Sequence, residues 1–94
     1  MSQKDEYIRT GEAQIKDWKA EIDRLRDRAG QTDPQKRPQN SEKVDVLQQK
    51  HQKSTEKLQE IKKADQGGWE ALKEGFEKLR RDMQESIEEV KTTL

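Results

Sequence analysis

The sequence predicts an all-α protein, an antiparallel helical bundle or coiled coil of three arms, and three observations predict it. Charged residues make up 43% of the chain and apolar residues 27%, a helix-forming composition whose apolar share is well below the ~45–50% of globular chains. The apolar residues recur at alternating spacings of three and four, the period of a buried helix seam. Two interruptions, GQTDPQKRPQN at 30–40 and the pair Gly67–Gly68, cut that pattern into three segments of similar length.

In the first arm, about residues 3–29, the stripe is Ile8, Gly11, Ile15, Trp18, Ile22, Leu25 and Ala29. Between these positions Asp5 faces Arg9 and Glu12 faces Lys16 at i,i+4, pairs worth only ~0.2–0.5 kcal/mol each. Gly30 suits the left-handed position that follows a helix, and Pro34 and Pro38 forbid a continuing ladder. Residues 30–40 therefore read as a proline-containing linker inside one helical domain spanning 1–94.

The second arm, about 41–65, starts at Asn40 or Ser41, either of which can cap it. Val44 stands where a capping box would place Glu, so the reciprocal bond is missing. Its stripe is Val44, Leu47, His51, Ser54, Leu58 and Ile61, with two polar members among the six. This arm is also the basic one: residues 34–66 hold eight Lys or Arg against five acids, between mildly acidic flanks. A middle arm packed between those flanks meets complementary charge, which bears on orientation more than on stability.

The glycine pair decides whether a third arm exists. Glycines within a helix cost ~0.8–1.0 kcal/mol each relative to alanine, a tolerable sum. One long helix over 41–93, in a two-helix hairpin that oligomerises, is therefore the alternative. Its seam would run Leu58, Ile61, Asp65, Trp69, Leu72 with a stutter, and it would bury Asp65. A turn explains more. Lys62 and Lys63 then lie at a helix C-terminus, Gly67 takes the left-handed position, and Glu70 falls in the first turn of a new helix. The third arm, about 69–93, carries Trp69, Leu72, Phe76, Leu79, Met83, Ile87, Val90 and Leu94. Each arm is then about 40 Å long at ~1.5 Å per residue.

Composition narrows the function classes. Twenty basic and twenty acidic side chains leave a net charge of zero, without the basic excess that attracts phosphate backbones, so no nucleic-acid partner is expected. The lack of cysteine removes disulfides, Cys-based zinc sites and thiol chemistry. The N-terminus has no apolar h-region and no apolar run approaches 18 residues. A soluble, cytoplasmic protein is expected. His51, the one histidine, has neither a partner at i+4 nor any Cys, and four serines share it as their only conceivable base. No metal site, cofactor or catalytic residue is assigned. The carboxylates are interleaved with Lys and Arg on helix faces, and GGWEALKEG lacks the Lys-Ser/Thr of a phosphate loop. The chain reads as a non-enzyme.

Trp18 and Trp69 lie on the stripe and are expected to pack in the core near the turns rather than to anchor a partner or a membrane. The third arm has the apolar width of an interfacial helix, but its seven acidic residues would repel anionic lipid, making a membrane-surface partner the weaker expectation.

Two blocks carry a family resemblance. KDEYIRTGEAQIKDWKAEIDRL, residues 4–25, and GGWEALKEGFEKL, residues 67–79, resemble a family of small bacterial coiled-coil proteins described as stress-response proteins. Trp18, Ala20, Glu21, Ile22, Asp23 and Leu25 match one of the family's patterns, and Trp69, Glu70, Leu72, Lys73 and Gly75 match the other. The resemblance covers about half the chain. It departs at Asp33-Pro34 and Arg37-Pro38, where the family runs on in helix. It implies a stress-associated role and transfers no catalytic residue.

The expected function is that of a non-enzymatic helical coiled-coil interaction protein, a stress-associated scaffold or protective factor, with an amphipathic-helix lipid-surface binder as the alternative. The stripe residues Ile8, Ile15, Trp18, Ile22, Leu25, Leu47, Leu58, Ile61, Trp69, Leu72, Phe76, Leu79 and Met83 are its core or interaction surface. Few buried apolar side chains leave an isolated chain marginal, and narrow stripes such as the second arm's favour burial by self-association, so a homo-oligomer is expected. A stripe too polar in its middle arm to be satisfied alone also offers a seam for a helical protein partner.

Overall fold

Ser2 starts the first helix: its hydroxyl accepts the Asp5 N–H at 3.1 Å, and Asp5 and Glu6 in the first turn complement the positive end of the helix dipole. The computed structural model describes residues 2–94 and contains three helices, α1 (Gln3–Gly30), α2 (Arg37–Lys63) and α3 (Gly68–Thr93). They pack side by side in a particle of 51 × 19 × 18 Å. The antiparallel three-arm bundle is the observed fold, and the continuous helix over 41–93 is not formed.

Ion pairs between helices show the directions. Glu12 near the start of α1 meets Lys62 at the end of α2 (3.0 Å), and Arg26 near the end of α1 meets Asp45 near the start of α2 (3.1 Å). Lys91 near the end of α3 meets Glu21 in the later half of α1 (3.4 Å), so α1 and α3 run parallel with α2 against both. The basic middle arm supplies Lys62 to α1 and Lys50 to Asp82 of α3 (3.1 Å), as the charge distribution anticipates. Arg26–Asp45 has the reverse polarity. Exposed pairs of this kind are worth about 0–1 kcal/mol and set register more than stability.

Both connections differ from the sequence reading. Gly30 ends α1 in helical conformation, and no described glycine has a positive φ. The turn that follows is built from side chains: Thr32 Oγ1 donates to Ala29 O (2.7 Å) and the Asp33 carboxylate accepts the Gln35 N–H (3.1 Å). The second helix begins at Arg37, ahead of the expected Asn40 or Ser41, with Pro38 in its first turn. A first-turn proline loses nothing, because its missing N–H is one that the helix would leave unpaired. Asn40 is consequently no cap. It is buried, and its Nδ2 donates to Thr32 Oγ1 (3.2 Å), tying α2 to the end of α1.

At the second connection α2 ends with Ala64 in extended conformation, and the carboxylate of Asp65 accepts the Gly68 N–H at 2.7 Å. Asp65, exposed, thus serves the start of α3. Gly67 has φ −82° and ψ −33° and does not take the left-handed position expected of it. The glycine that matters is Gly68, where an added Cβ would lie 3.0 Å from Asp65 Oδ1 and 3.7 Å from Ala64 Cβ. Glycine permits the close approach of the cap, and no unusual torsion is involved. Lys4 closes the same end of the bundle, donating to the carbonyls of Ala64 (2.6 Å) and Lys62 (3.2 Å), where a cation also suits the negative end of α2.

The core follows the stripes. Trp18, Ile22, Leu25, Leu47, Leu58, Ile61, Trp69, Phe76 and Met83 are buried, joined by Ala29, Val44, Ile87 and Val90. Ile8, Ile15 and Leu72 are partly buried against this core, whereas Leu79, expected on the stripe, is half-buried without packing against it. A helix of 3.6 residues per turn drifts past a strict seven-residue repeat, so some stripe positions fall at the edge of the seam. The two polar members of the α2 stripe are satisfied within the chain. Ser54 is fully buried and donates to Lys50 O (3.0 Å), and His51 Nε2 lies 3.0 Å from Ile15 O.

The two turn glycines are expected to respond oppositely to alanine. Gly30→Ala meets nothing within 4 Å and should raise the unfolding free energy by up to ~1 kcal/mol through helix propensity. Gly68→Ala displaces the Asp65 cap and should lower it by ~1 kcal/mol. Urea unfolding followed by helical circular dichroism measures both, and a stabilised Gly68→Ala chain would contradict the capping role given to Asp65.

Candidate functional site

The chain has four aromatic residues, and the fold gathers all of them. Phe76 is edge-on to Tyr7 with ring centroids 5.9 Å apart, Trp18 lies 6.5 Å from Phe76, and Tyr7 lies 5.8 Å from Trp69. Aromatic pairs at these separations contribute about 0.5–1.5 kcal/mol beyond their buried area. Tyr7 and Trp18 come from α1, Trp69 and Phe76 from α3. The cluster therefore spans the one helix pair that otherwise touches least, because α2 packs extensively against both neighbours while α1 and α3 meet at few places.

Gly11 explains how the cluster sits. A Cβ there would lie 3.0 Å from Leu58 Cδ1 and 3.4 Å from Phe76 Cζ. Leu58 of α2 and Phe76 of α3 thus both reach the bare backbone of α1. The stripe position that carries no side chain is where the three helices come closest.

Outward from Gly11, the first halves of α1 and α3 enclose a cleft of about 570 Å³. Tyr7, Gly11, Trp69 and Phe76 line its inner wall; Glu6, Thr10 and Gln14 stand on the α1 side and Lys73, Glu77 and Arg80 on the α3 side. Arg80 Nε binds the Glu77 carboxylate at 2.6 Å. Lys73 Nζ lies over two rings, 5.2 Å from the centroid of Tyr7 and 5.7 Å from that of Trp69, within the range of cation–π attraction.

The Tyr7 phenol is pushed from its ordinary 10.0 up to about 12. Burial is the first cause. The Glu77 carboxylate is the second, through its charge and by accepting a hydrogen bond from the hydroxyl, while Arg80 acts in the opposite direction. The hydroxyl also lies 3.4 Å from Lys73 O, a long contact that adds little.

The sequence-predicted residues divide between core and cleft. Trp69 and Phe76 reach the cleft, whereas Ile22, Leu25, Leu47, Ile61 and Met83 are enclosed in the core. Ile15 and Leu58 border a smaller depression of about 280 Å³ beside His51. The residues of interest that the stripe misses are Tyr7, Lys73, Glu77 and Arg80. One signal was available. Gln3, Tyr7, Thr10 and Gln14 form an uncharged row at spacings of four, three and four beside the apolar stripe, in a chain where 43% of residues are charged.

Comparison with protein-family models, with curated proteins and with solved structures gave no match.

Tyr7 is the one tyrosine, so phenolate absorbance reports it alone. The folded chain is expected to titrate at about 12, and Glu77→Gln to bring the value down toward 10. The sign for stability follows from linkage. The unfolded phenol loses its proton near its ordinary 10.0 and the folded one only near 12, so the contribution is complete below the lower value and lost between the two as pH rises. Tyr7→Phe should remove that part of the alkaline loss of melting temperature. An ordinary titration in the folded state would show that the ring is not enclosed as described.

Proposed function

We propose that the chain is a non-enzymatic helical interaction protein whose working surface is the cleft between α1 and α3, where a partner segment lies along the two parallel helices. The observation that carries this reading is the cleft itself: the least-packed helix pair leaves the half-buried Tyr7 ring within reach of solvent, backed by the buried Trp69 and Phe76 and rimmed by side chains of both charges. Other apolar openings are smaller, about 260 Å³ beside Leu47 and Val90 and about 280 Å³ beside Ile15 and Leu58. Val46, 44% exposed, is the one exposed large hydrophobic side chain among the described residues. An aromatic floor with a polar rim is the anatomy of protein interaction sites, in which tyrosine, tryptophan and arginine are enriched.

The self-association expectation rests on narrow apolar stripes and a marginal isolated chain. His51 and Ser54 find their hydrogen bonds inside one chain, so self-association would rest on the narrow apolar stripes alone, and either a second copy or a different helical partner remains within the proposal. The resemblance to bacterial coiled-coil stress-response proteins adds a stress-associated setting to the proposal. The amphipathic lipid-binding alternative gains no support, because Trp69, Phe76, Met83 and Ile87 of α3 are spent on the core and would reach a bilayer only from an opened bundle.

Site-directed photocrosslinking tests the reading. A photoreactive residue at Gln14, on the cleft, is expected to give discrete adducts in extracts of the source cells, more abundant under stress. The same residue at Gln48, exposed on α2, should give none. Equal capture from both faces, or none from Gln14, would remove the cleft from the proposal.

A further inference from the structure

The cations of this chain differ in what they end on. Lys50, Lys57, Lys62, Lys91, Arg26 and Arg80 reach carboxylates at 2.6–3.7 Å, and Lys4 and Arg37 reach backbone carbonyls. Lys73 is a cation that lies over aromatic rings. It has acidic neighbours at both helical pairing distances, Glu70 at i−3 and Glu77 at i+4, yet among the described residues its ammonium enters no ion pair and no side-chain hydrogen bond. It stands over the rings of Tyr7 and Trp69 instead, at 5.2 and 5.7 Å from their centroids. The two rings come from different helices and are tilted by 46°, so they form a two-sided seat.

The surroundings favour positive charge there. Glu6 and Glu77 line the cleft on opposite walls, and Arg80, on Glu77, is the other cation of the lining. With the Lys73 ammonium withdrawn, two carboxylates face one guanidinium and the cleft is left one negative charge. Burial first and the Glu77 charge second raise the Tyr7 phenol, in keeping with a carboxylate facing the seat. Lys73 is exposed on a long flexible stem and can leave by a rotamer change without disturbing the helix.

We propose that this seat is a receptor for an organic cation, the guanidinium or alkylammonium group of a basic side chain on the partner segment, and that Lys73 is the resident cation which that group displaces. The proposal rests on the reading of the α1/α3 cleft as a partner site and specifies the partner's anchor. A guanidinium fits best in principle: it is flat, weakly hydrated and stacks on aromatic faces, and the cleft of about 570 Å³ has room for it with its stem.

The test uses the full chain and its Lys73→Gln variant, with the ring resonances of Tyr7 and Trp69 observed by NMR. The probes are tetramethylammonium chloride and N-acetyl-arginine amide, with sodium chloride and N-acetyl-leucine amide as controls. Saturable shifts of both rings are expected with the two organic cations and not with the controls. Lys73→Gln should bind about three-fold more tightly, since the competing ammonium is gone. No ring shifts beyond those of sodium chloride, or a variant that binds no more tightly, overturns the seat; a merely structural lysine would leave the affinity unchanged or lower it.

A second arm separates this proposal from the one beneath it. An alanine-rich helical peptide bearing one arginine is compared with the same peptide bearing norleucine, reading the amides of Thr10 and Gln14. Tighter binding of the arginine peptide supports the proposal. Equal binding of both peptides in the cleft overturns the cation seat and keeps the cleft as a partner site. Ring shifts from the small cations with no cleft shifts from either peptide overturn the partner segment as the source and leave a seat for a free cation.

Discussion

The contact of Phe76 and Leu58 over the bare backbone of Gly11 is the constraint from which most of the bundle's shape follows. Phe76 is 1% exposed and makes ring contacts with Tyr7 and Trp18, both on α1. Leu58 brings α2 to the same point, where even a methyl group on α1 would stand 3.0 Å from it. Interiors are packed densely enough that such a meeting point fixes the separation of the helices around it. Once α2 fills the space against both neighbours, α1 and α3 are joined mainly by aromatic rings and by Lys91–Glu21 near their far ends. The cleft is the consequence of that geometry, since two parallel helices held apart by large rings cannot also close over them.

The polar positions of α2 show how a chain with few apolar residues secures one arrangement. Ser54 turns its hydroxyl back to its own helix, to Lys50 O, and Lys50 reaches out to Asp82 and to Ser86 Oγ (2.6 Å) on α3. His51 crosses to the backbone of α1. No buried side-chain nitrogen or oxygen among the described residues lacks a partner. A leucine in place of His51 would bury more area but would lose a directional contact to α1 that a slipped register cannot make, whereas the Ser54 bond stays within α2 and only satisfies a buried hydroxyl. Polar groups at seam positions act this way in coiled coils, trading some stability for alignment.

Much of this was legible in the residues, because the helical period is a one-dimensional signal. The stripes located the three helices, and the lysines before Gly67 together with the problem of burying Asp65 favoured a turn over a continuous helix. Less legible was anything decided by a single local contact. Pro38 looks like a barrier until its place in the first helical turn is known, and Asn40 looks like a cap although its partner is Thr32. Gly67 suggests an unusual torsion it does not adopt, and the glycine that matters is Gly68, which makes room for a carboxylate. The cleft was least legible of all. Tyr7 is one residue away from the stripe, and only the splay of α1 from α3 gives it a neighbour in Trp69.

The same economy of apolar residues limits how the cleft can hold a partner. Trp69 and Phe76 are almost wholly buried in the unbound chain, so a docking segment would gain little from covering them further. A stable interface resting on apolar burial needs on the order of 1,200–2,000 Å² of total buried surface, and the polar walls around Tyr7 do not supply it. What the cleft does offer is directional: two ring faces, the carboxylates Glu6 and Glu77, and the uncharged amide Gln14. Contacts of that kind discriminate among partners and permit rapid release. If the proposed cleft holds a partner, a bundle balanced in charge and sparing of exposed apolar surface would engage it briefly and recognise it by the chemistry of one anchoring group.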